Sequence, residues 1–146
     1  MRAGGYLETV MAPSMLPEYF AVRFRLAADF ADWPAAFAVV TAYATTGETW
    51  TQNRNDAADR ALADELSAQG GFMRRIVGYS PTTGHAEPGF AAELSFDAAC
   101  DLGRRYLQDA VYYVRGDALF VSFADARRGL VPVGSFRERL DAEPSE

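Results

Sequence analysis

The sequence predicts an α+β domain: a largely antiparallel sheet in β-β-α-β-β-α-β-β order, with two main helices packed on one face. Three observations carry that expectation. Several stretches alternate apolar and polar residues with the period of a half-buried strand. Only two long stretches carry helical spacing. Strand-like runs stand a turn apart, as antiparallel hairpins require. No glycine fingerprint of the dinucleotide-binding kind follows any strand, so a doubly wound parallel sheet is not indicated.

Residues 1–17 contain Pro13 and Pro17 and no sustained period, and are expected to form a flexible arm. From Tyr19 onward Phe20, Val22, Phe24 and Leu26 point one way while Ala21, Arg23 and Arg25 point the other, which is a strand with one wet face. Residues 36–45 are more continuously apolar and suit a central strand covered on both sides. Residues 56–69 place Ala58, Ala61, Leu62 and Leu66 at helical spacing, with Asn55 as the expected N-cap and Gly70 and Gly71 as the stop.

Strand character returns over 72–79, and 81–89, with Pro81, Gly84, Pro88 and Gly89, reads as a loop. Phe90, Ala92, Leu94 and Phe96 then alternate with Ala91, Glu93 and Ser95 as a half-buried strand. A second helix is expected from Asp97, its cap, to about residue 107, with Ala98, Ala99, Leu102 and Tyr106 on one face. Residues 111–114 and 119–123 flank Gly116 and Asp117, and Gly at the first turn position suits a type II′ hairpin. Ser135 followed by Glu138 has capping-box spacing and predicts a short closing helix. The expected organisation is a single domain over 18–140 with an acidic, disordered tail at 141–146.

The length of 146 residues with 49% apolar composition suits one domain that folds without disulfides or a structural metal. All basic residues are Arg, which removes every mechanism built on a lysine nucleophile, base or phosphate-binding group. His85 and Cys100 stand alone in their residue types, so no conventional zinc site and no intrachain disulfide can form within one chain, and no cofactor is expected. The net charge of −6 opposes nucleic-acid binding, although Asp141, Glu143 and Glu146 in the tail supply half of it. The start of the chain carries no apolar run of signal-peptide length, and the longest apolar stretch, 35–44, is about half of a bilayer span. A cytoplasmic protein without membrane association is therefore expected, and the lone Cys suits a reducing compartment.

Candidate functional residues fall at element ends. Thr41 and Tyr43 close the apolar second strand, and Asn55 stands at the opening of the first helix. The loop carrying His85 and Glu87 combines the one side chain that titrates near neutrality with a carboxylate two residues on, a simple acid–base unit. Gln108 follows the second helix, where its amide can bond a ligand or the last helical carbonyls. Arg74/Arg75 and Arg104/Arg105 diverge on a strand and on a helix, so neither pair forms a clamp, and Cys100 has the spacing of a packing residue.

Four motifs, taken in order, resemble a small bacterial family known only as a domain of unknown function, number 3293 in its series. They are Val39-Val40-Thr41-Ala42-Tyr43, the Asn55 that opens an Ala/Leu helix, His85-Ala86-Glu87-Pro88-Gly89-Phe90, and Gln108-Asp109-Ala110-Val111-Tyr112. The likeness runs from about Tyr19 to Leu140. It departs where Ala44 and Thr45 stand for a usual Asn-Pro, Gly89 for a common Ser and Asp109 for a common Asn. The resemblance marks residues and implies no activity.

The expected function is therefore binding of a small polar or anionic, nucleotide-like ligand by Thr41, Tyr43, Asn55, Gln108 and the His85/Glu87 loop. The alternative is a protein-interaction module without catalysis, using the arm and hairpin to hold a partner or a second copy of the chain. If the domain is an enzyme, elimination leaves Glu87 as general acid or base with His85 assisting, and Gln108 and Asn55 on the substrate.

Overall fold

In the computed structural model, residues 17–26, 32–44 and 49–142 are described. The strands are β1 (Arg23–Leu26), β2 (Ala36–Thr41), β3 (Met73–Tyr79), β4 (Ala86–Ala92), β5 (Ala110–Arg115), β6 (Ala118–Phe123), β7 (Val131–Ser135) and β8 (Leu140–Ala142). The helices are α1 (Gln52–Gln69) and α2 (Phe96–Arg105), and 3₁₀ turns occupy Pro17–Phe20 and Arg137–Arg139. The strands form one sheet in the order β7-β6-β5-β2-β4-β3-β1-β8, antiparallel throughout except where β1 meets β8. This is the predicted α+β class, extended by two strands.

Those two strands give the sheet its shape. β7 and β8 lie at opposite edges, yet they are consecutive in the chain and only residues 136–139 separate them. Eight strands laid flat at about 4.8 Å spacing would put the edges roughly 34 Å apart, whereas the link reaches at most about 17 Å. The sheet must curl, and the link closes it like a clasp. Arg139 fastens the clasp: its guanidinium donates to the carbonyls of Phe20 at 2.9 Å, Val22 at 3.0 Å and Val133 at 3.3 Å, joining the β1 edge to β7.

Alternation sorts the apolar side chains onto two faces. Outward, Ala38, Val40 and Ala42, with Phe90 on β4 and Val111 and Tyr113 on β5, pack beneath the helices. Leu62 and Leu66 of α1 and Ala99, Cys100 and Leu102 of α2 cover them. Inward, Phe24, Phe37, Val39, Ile76, Val114 and Phe136 fill the curl. The rings of Trp33, Phe37 and Phe136 meet there at centroid distances of 5.0–5.2 Å. β2 is buried on both faces, as its continuous apolar run predicts. The Gly116–Asp117 turn is also as predicted: Gly116 has φ +62° and Asp117 keeps a negative φ.

Several boundaries differ from the sequence expectation. Thr51, not Asn55, caps α1, its hydroxyl accepting from the Arg54 N–H at 3.1 Å, so the helix starts a turn early. Ser95 likewise replaces Asp97 as the cap of α2, and Phe96 is helical rather than the end of a strand. The expected 81–89 loop is shorter, because Ala86–Ala92 is strand and takes in Glu87, Pro88 and Gly89. Pro88 is tolerated there because β2 ends at Thr41, opposite Gly89, so no β2 residue pairs with Pro88. Only Arg23–Leu26 of the expected first strand pairs, since Pro17–Phe20 is a 3₁₀ turn. The closing helix is a three-residue 3₁₀ turn, although Ser135 Oγ does accept from the Glu138 N–H at 3.2 Å.

Asp141, placed by sequence in a disordered tail, lies in β8, where Arg23 grips it through Nε and Nη2 at 2.8 Å each. The expected arm falls outside the described residues up to residue 16, as does the tail from residue 143. Among the described residues no helix is long and apolar enough to cross a membrane.

Candidate functional site

At one end of the curl the inner face opens into a cavity of about 500 Å³. Strand parity decides what faces it. Thr41 shares the inward side of β2 with Phe37 and Val39, and Glu87 shares the inward side of β4 with Gly89 and Ala91. Gly89 stands opposite Thr41, and a Cβ there would lie 2.3 Å from the Val40 carbonyl oxygen and 2.6 Å from Thr41 Cγ2. Only glycine lets the strands approach this closely. Gly78, opposite Glu87 on β3, leaves further space above Phe24.

Gln108 arrives by a different device. α2 ends at Arg105 with Tyr106 as its C-cap, and Leu107 then adopts the left-handed conformation with φ +62°. The Gln108 N–H closes back on the Gly103 carbonyl at 2.8 Å. That turn aims the Gln108 side chain at the end of β2. Its amide nitrogen donates to the carbonyls of Tyr43 at 2.7 Å and Tyr106 at 3.1 Å, which fixes the amide so that Oε1 faces the Thr41 hydroxyl at 3.0 Å. Glu87 Oε1 lies 3.3 Å from the same hydroxyl. One hydroxyl proton thus stands between two acceptors. On its other oxygen Glu87 meets His85 Nε2 at 3.0 Å.

Asn55, displaced from capping, lies in the first turn of α1, and its Oδ1 accepts the Ala44 N–H at 2.9 Å. The Tyr43 hydroxyl accepts from Gln52 at 3.3 Å and donates to Asp56 at 3.4 Å. All six candidates, Thr41, Tyr43, Asn55, His85, Glu87 and Gln108, line this one cavity. They come from β2, α1, β4 and the segments that flank them.

Other lining residues are not among the sequence candidates. Val22, Phe24, Val39 and the Tyr112 ring make an apolar floor, while Tyr19, Trp50 and Tyr79 contribute aromatic walls. Tyr112 donates to the Tyr19 carbonyl at 2.8 Å and so holds the Pro17–Phe20 turn, whose Glu18 and Tyr19 line the cavity. Burial, reinforced by the Glu87 and Glu18 carboxylates, pushes the Tyr112 phenol well above its ordinary range. The sequence signal for Tyr112 was its parity with Val114, legible only once the inward face of β5 is known. Trp50 lies under the Arg54 guanidinium, 3.7 Å from its ring centroid, a pairing that links the residue before the cap to the first turn of α1.

The ionisable side chains lining the cavity, tyrosines aside, are Glu18, Glu87, Asp109 and His85, and no described arginine lines it. The guanidiniums beside it are engaged: Arg54 stacks on Trp50, Arg25 on Tyr79, Arg139 holds the Phe20 and Val22 carbonyls, and Arg75 and Arg23 pair with Asp59 and Asp141. Among the described residues no three His, Cys, Asp or Glu side chains are grouped to hold a metal ion. Chemically the site can accept hydrogen bonds, enclose an apolar body, and move a proton through Glu87 and His85.

Residues 40–111 match a family described as protein of unknown function, DUF3293, the family that the sequence motifs resemble. The matched stretch is narrower than the 19–140 span of the motifs, and it contains all six candidate residues. No curated protein and no solved structure matches the chain.

Proposed function

We propose that this domain binds a small polar ligand in the cavity at the open end of its curled sheet. The supporting observation is convergence: Thr41, Tyr43, Asn55, His85, Glu87 and Gln108, separated by up to 67 residues, line one cavity of about 500 Å³. That volume is in the usual range for a metabolite-sized ligand. The same reading keeps the chain in the cytoplasm, which the free, buried thiol of Cys100 suits.

A thermal-shift screen of a metabolite library tests the reading, because a ligand at 100 times its Kd adds about 2.7 kcal/mol of stability. The expected result is a ligand that raises the Tm of the native protein but not that of Gly78→Val, whose side chain would project into the cavity. A broad library with no such ligand overturns the proposal.

A second reading, acid–base catalysis by Glu87 with His85, is favoured by their 3.0 Å contact at the cavity wall. Under it, Glu87→Gln keeps its Tm and loses turnover of the ligand. A destabilised variant that still turns it over ends that reading.

A further inference from the structure

The hydrogen-bonding groups around the cavity are unevenly spent. Both donors identified on the Gln108 amide nitrogen go to backbone carbonyls, Tyr43 and Tyr106, so the end it turns toward Thr41 is the acceptor Oε1. The Tyr112 hydroxyl gives its proton to Tyr19, and the Tyr43 hydroxyl gives its proton to Asp56. The Thr41 hydroxyl has one proton for two acceptors, Glu87 Oε1 and Gln108 Oε1. At the Glu87–Thr41–Gln108 cluster the surplus is therefore of acceptors, in a cavity whose carboxylates are Glu18, Glu87 and Asp109 and which no described arginine lines. Below that polar level the floor is apolar, with Val22, Phe24, Val39 and the Tyr112 ring.

We propose that the ligand is an organic cation: a primary ammonium head donating to Glu87 and Gln108 Oε1, carried on a flat apolar body that rests on the Phe24, Val39 and Tyr112 floor. The proposal rests on the small-ligand reading and narrows it. An ammonium brings three N–H donors and a positive charge, which supplies the proton that the Glu87–Thr41–Gln108 cluster lacks. An anionic ligand meets the opposite: its own acceptors face Glu87 and Gln108 Oε1, and nothing lining the described cavity pairs its charge except His85, whose side chain is 71% exposed and already against Glu87. Under this inference a nucleotide-like ligand would enter through an uncharged or cationic base and not through its phosphates.

Three probes with one body separate the charge classes: tryptamine, tryptophol and indole-3-propionate, titrated into the full-length protein by calorimetry, with Tm shift as a parallel readout. Tryptamine is expected to bind most tightly, tryptophol at least about tenfold more weakly, as loss of a charge-assisted hydrogen bond implies, and indole-3-propionate not measurably. Glu87→Gln should weaken tryptamine by about tenfold or more and tryptophol by a clearly smaller factor. If that variant fails to fold, Gly78→Val serves, and it should abolish binding of both. Tighter binding of indole-3-propionate or tryptophol than of tryptamine overturns the cation inference and leaves the small-ligand reading standing. Equal affinity of native and Glu87→Gln protein for tryptamine also overturns it. If none of the three binds at 10 mM, on the order of the weakest affinity such a cavity should give, the inference falls, and the library screen then decides the reading beneath it.

Discussion

Gln108 donates through its side-chain amide to the backbone carbonyl of Tyr43 at 2.7 Å, tying the turn after α2 to the segment that leaves β2, 65 residues earlier. The same amide satisfies the Tyr106 carbonyl, and its oxygen receives the Thr41 hydroxyl. Gln108→Leu leaves these partners unsatisfied in a half-buried place. The expected loss is about 1–3 kcal/mol, seen as a lower midpoint in urea denaturation. An unchanged midpoint would show that solvent replaces the amide at no cost.

Gly89 and Gly78 lie on the inward sides of β4 and β3 and should respond differently to alanine. At Gly89 the new methyl would collide with the Val40 carbonyl oxygen at 2.3 Å, backbone that cannot swing away. The expected destabilisation is at least the roughly 1–3 kcal/mol of an overpacked core. At Gly78 the nearest atom is Phe24 Cε1 at 3.7 Å, an ordinary contact, so Gly78→Ala should hold its Tm and only reduce the cavity. Paired melting curves check this, and a Gly78→Ala variant as unstable as Gly89→Ala would contradict the geometry.

Leu107 holds a left-handed backbone with φ +62° while its side chain is 56% exposed. The strain is therefore not offset by burial. Leu107→Gly relieves it and is expected to stabilise the fold by up to about 1 kcal/mol. Chemical denaturation would register a higher midpoint, and a lower one would mean that Leu107 contributes packing its exposure does not suggest.

Acid titration should report on the β1–β8 edge. The Arg23 guanidinium, with the Tyr79 hydroxyl, holds Asp141 at about 2, below its ordinary 3.8. A depressed carboxylate contributes stability that is whole above the unfolded value and is lost as pH falls from near 3.8 through about 2. The pair is partly solvated, so the contribution is at most about 1 kcal/mol. Asp141→Asn should remove this part of the acid limb and leave the midpoint above pH 5 lower by a similar amount, measured as urea midpoint against pH.

Alkaline titration has the opposite sign. Burial raises the Tyr112 phenol above its ordinary 10.0, so the stability it contributes is whole below pH 10 and declines as pH rises above it. Tyr112→Phe should flatten that decline relative to the native protein. It also releases the Tyr19 carbonyl, which should expose the Pro17–Phe20 turn to faster amide exchange. Identical alkaline limbs for the two proteins would place the titration elsewhere.

Much of the domain was legible from local pattern alone. The inward alternation of Phe24 and Leu26, the two-sided burial of Val39 and Val40, the Leu62/Leu66 stripe and the Gly116 turn each need only neighbouring residues, and period and turn chemistry are local properties. The six candidate residues were legible for a related reason, since polar groups at strand and helix ends stand out against apolar runs.

What tertiary structure alone decided concerns partners far apart in the chain. Both Thr51 and Asn55 could cap α1. Thr51 does, and Asn55 is claimed by the Ala44 N–H 11 residues away. Pro88 and Gly89 carry the local signature of a loop, yet they lie in β4 because β2 stops at Thr41 and needs a side-chain-free neighbour there. Asp141 had the composition of a tail until Arg23, 118 residues earlier, supplied its partner. The curl itself follows from β7 and β8 reaching opposite edges, and which way the Gln108, Tyr112 and Tyr43 donors point follows from the curl. Sequence period fixes which side of a strand a residue occupies. The direction of a hydrogen bond, and with it the charge a cavity will accept, depends on atoms that meet only after the chain has closed.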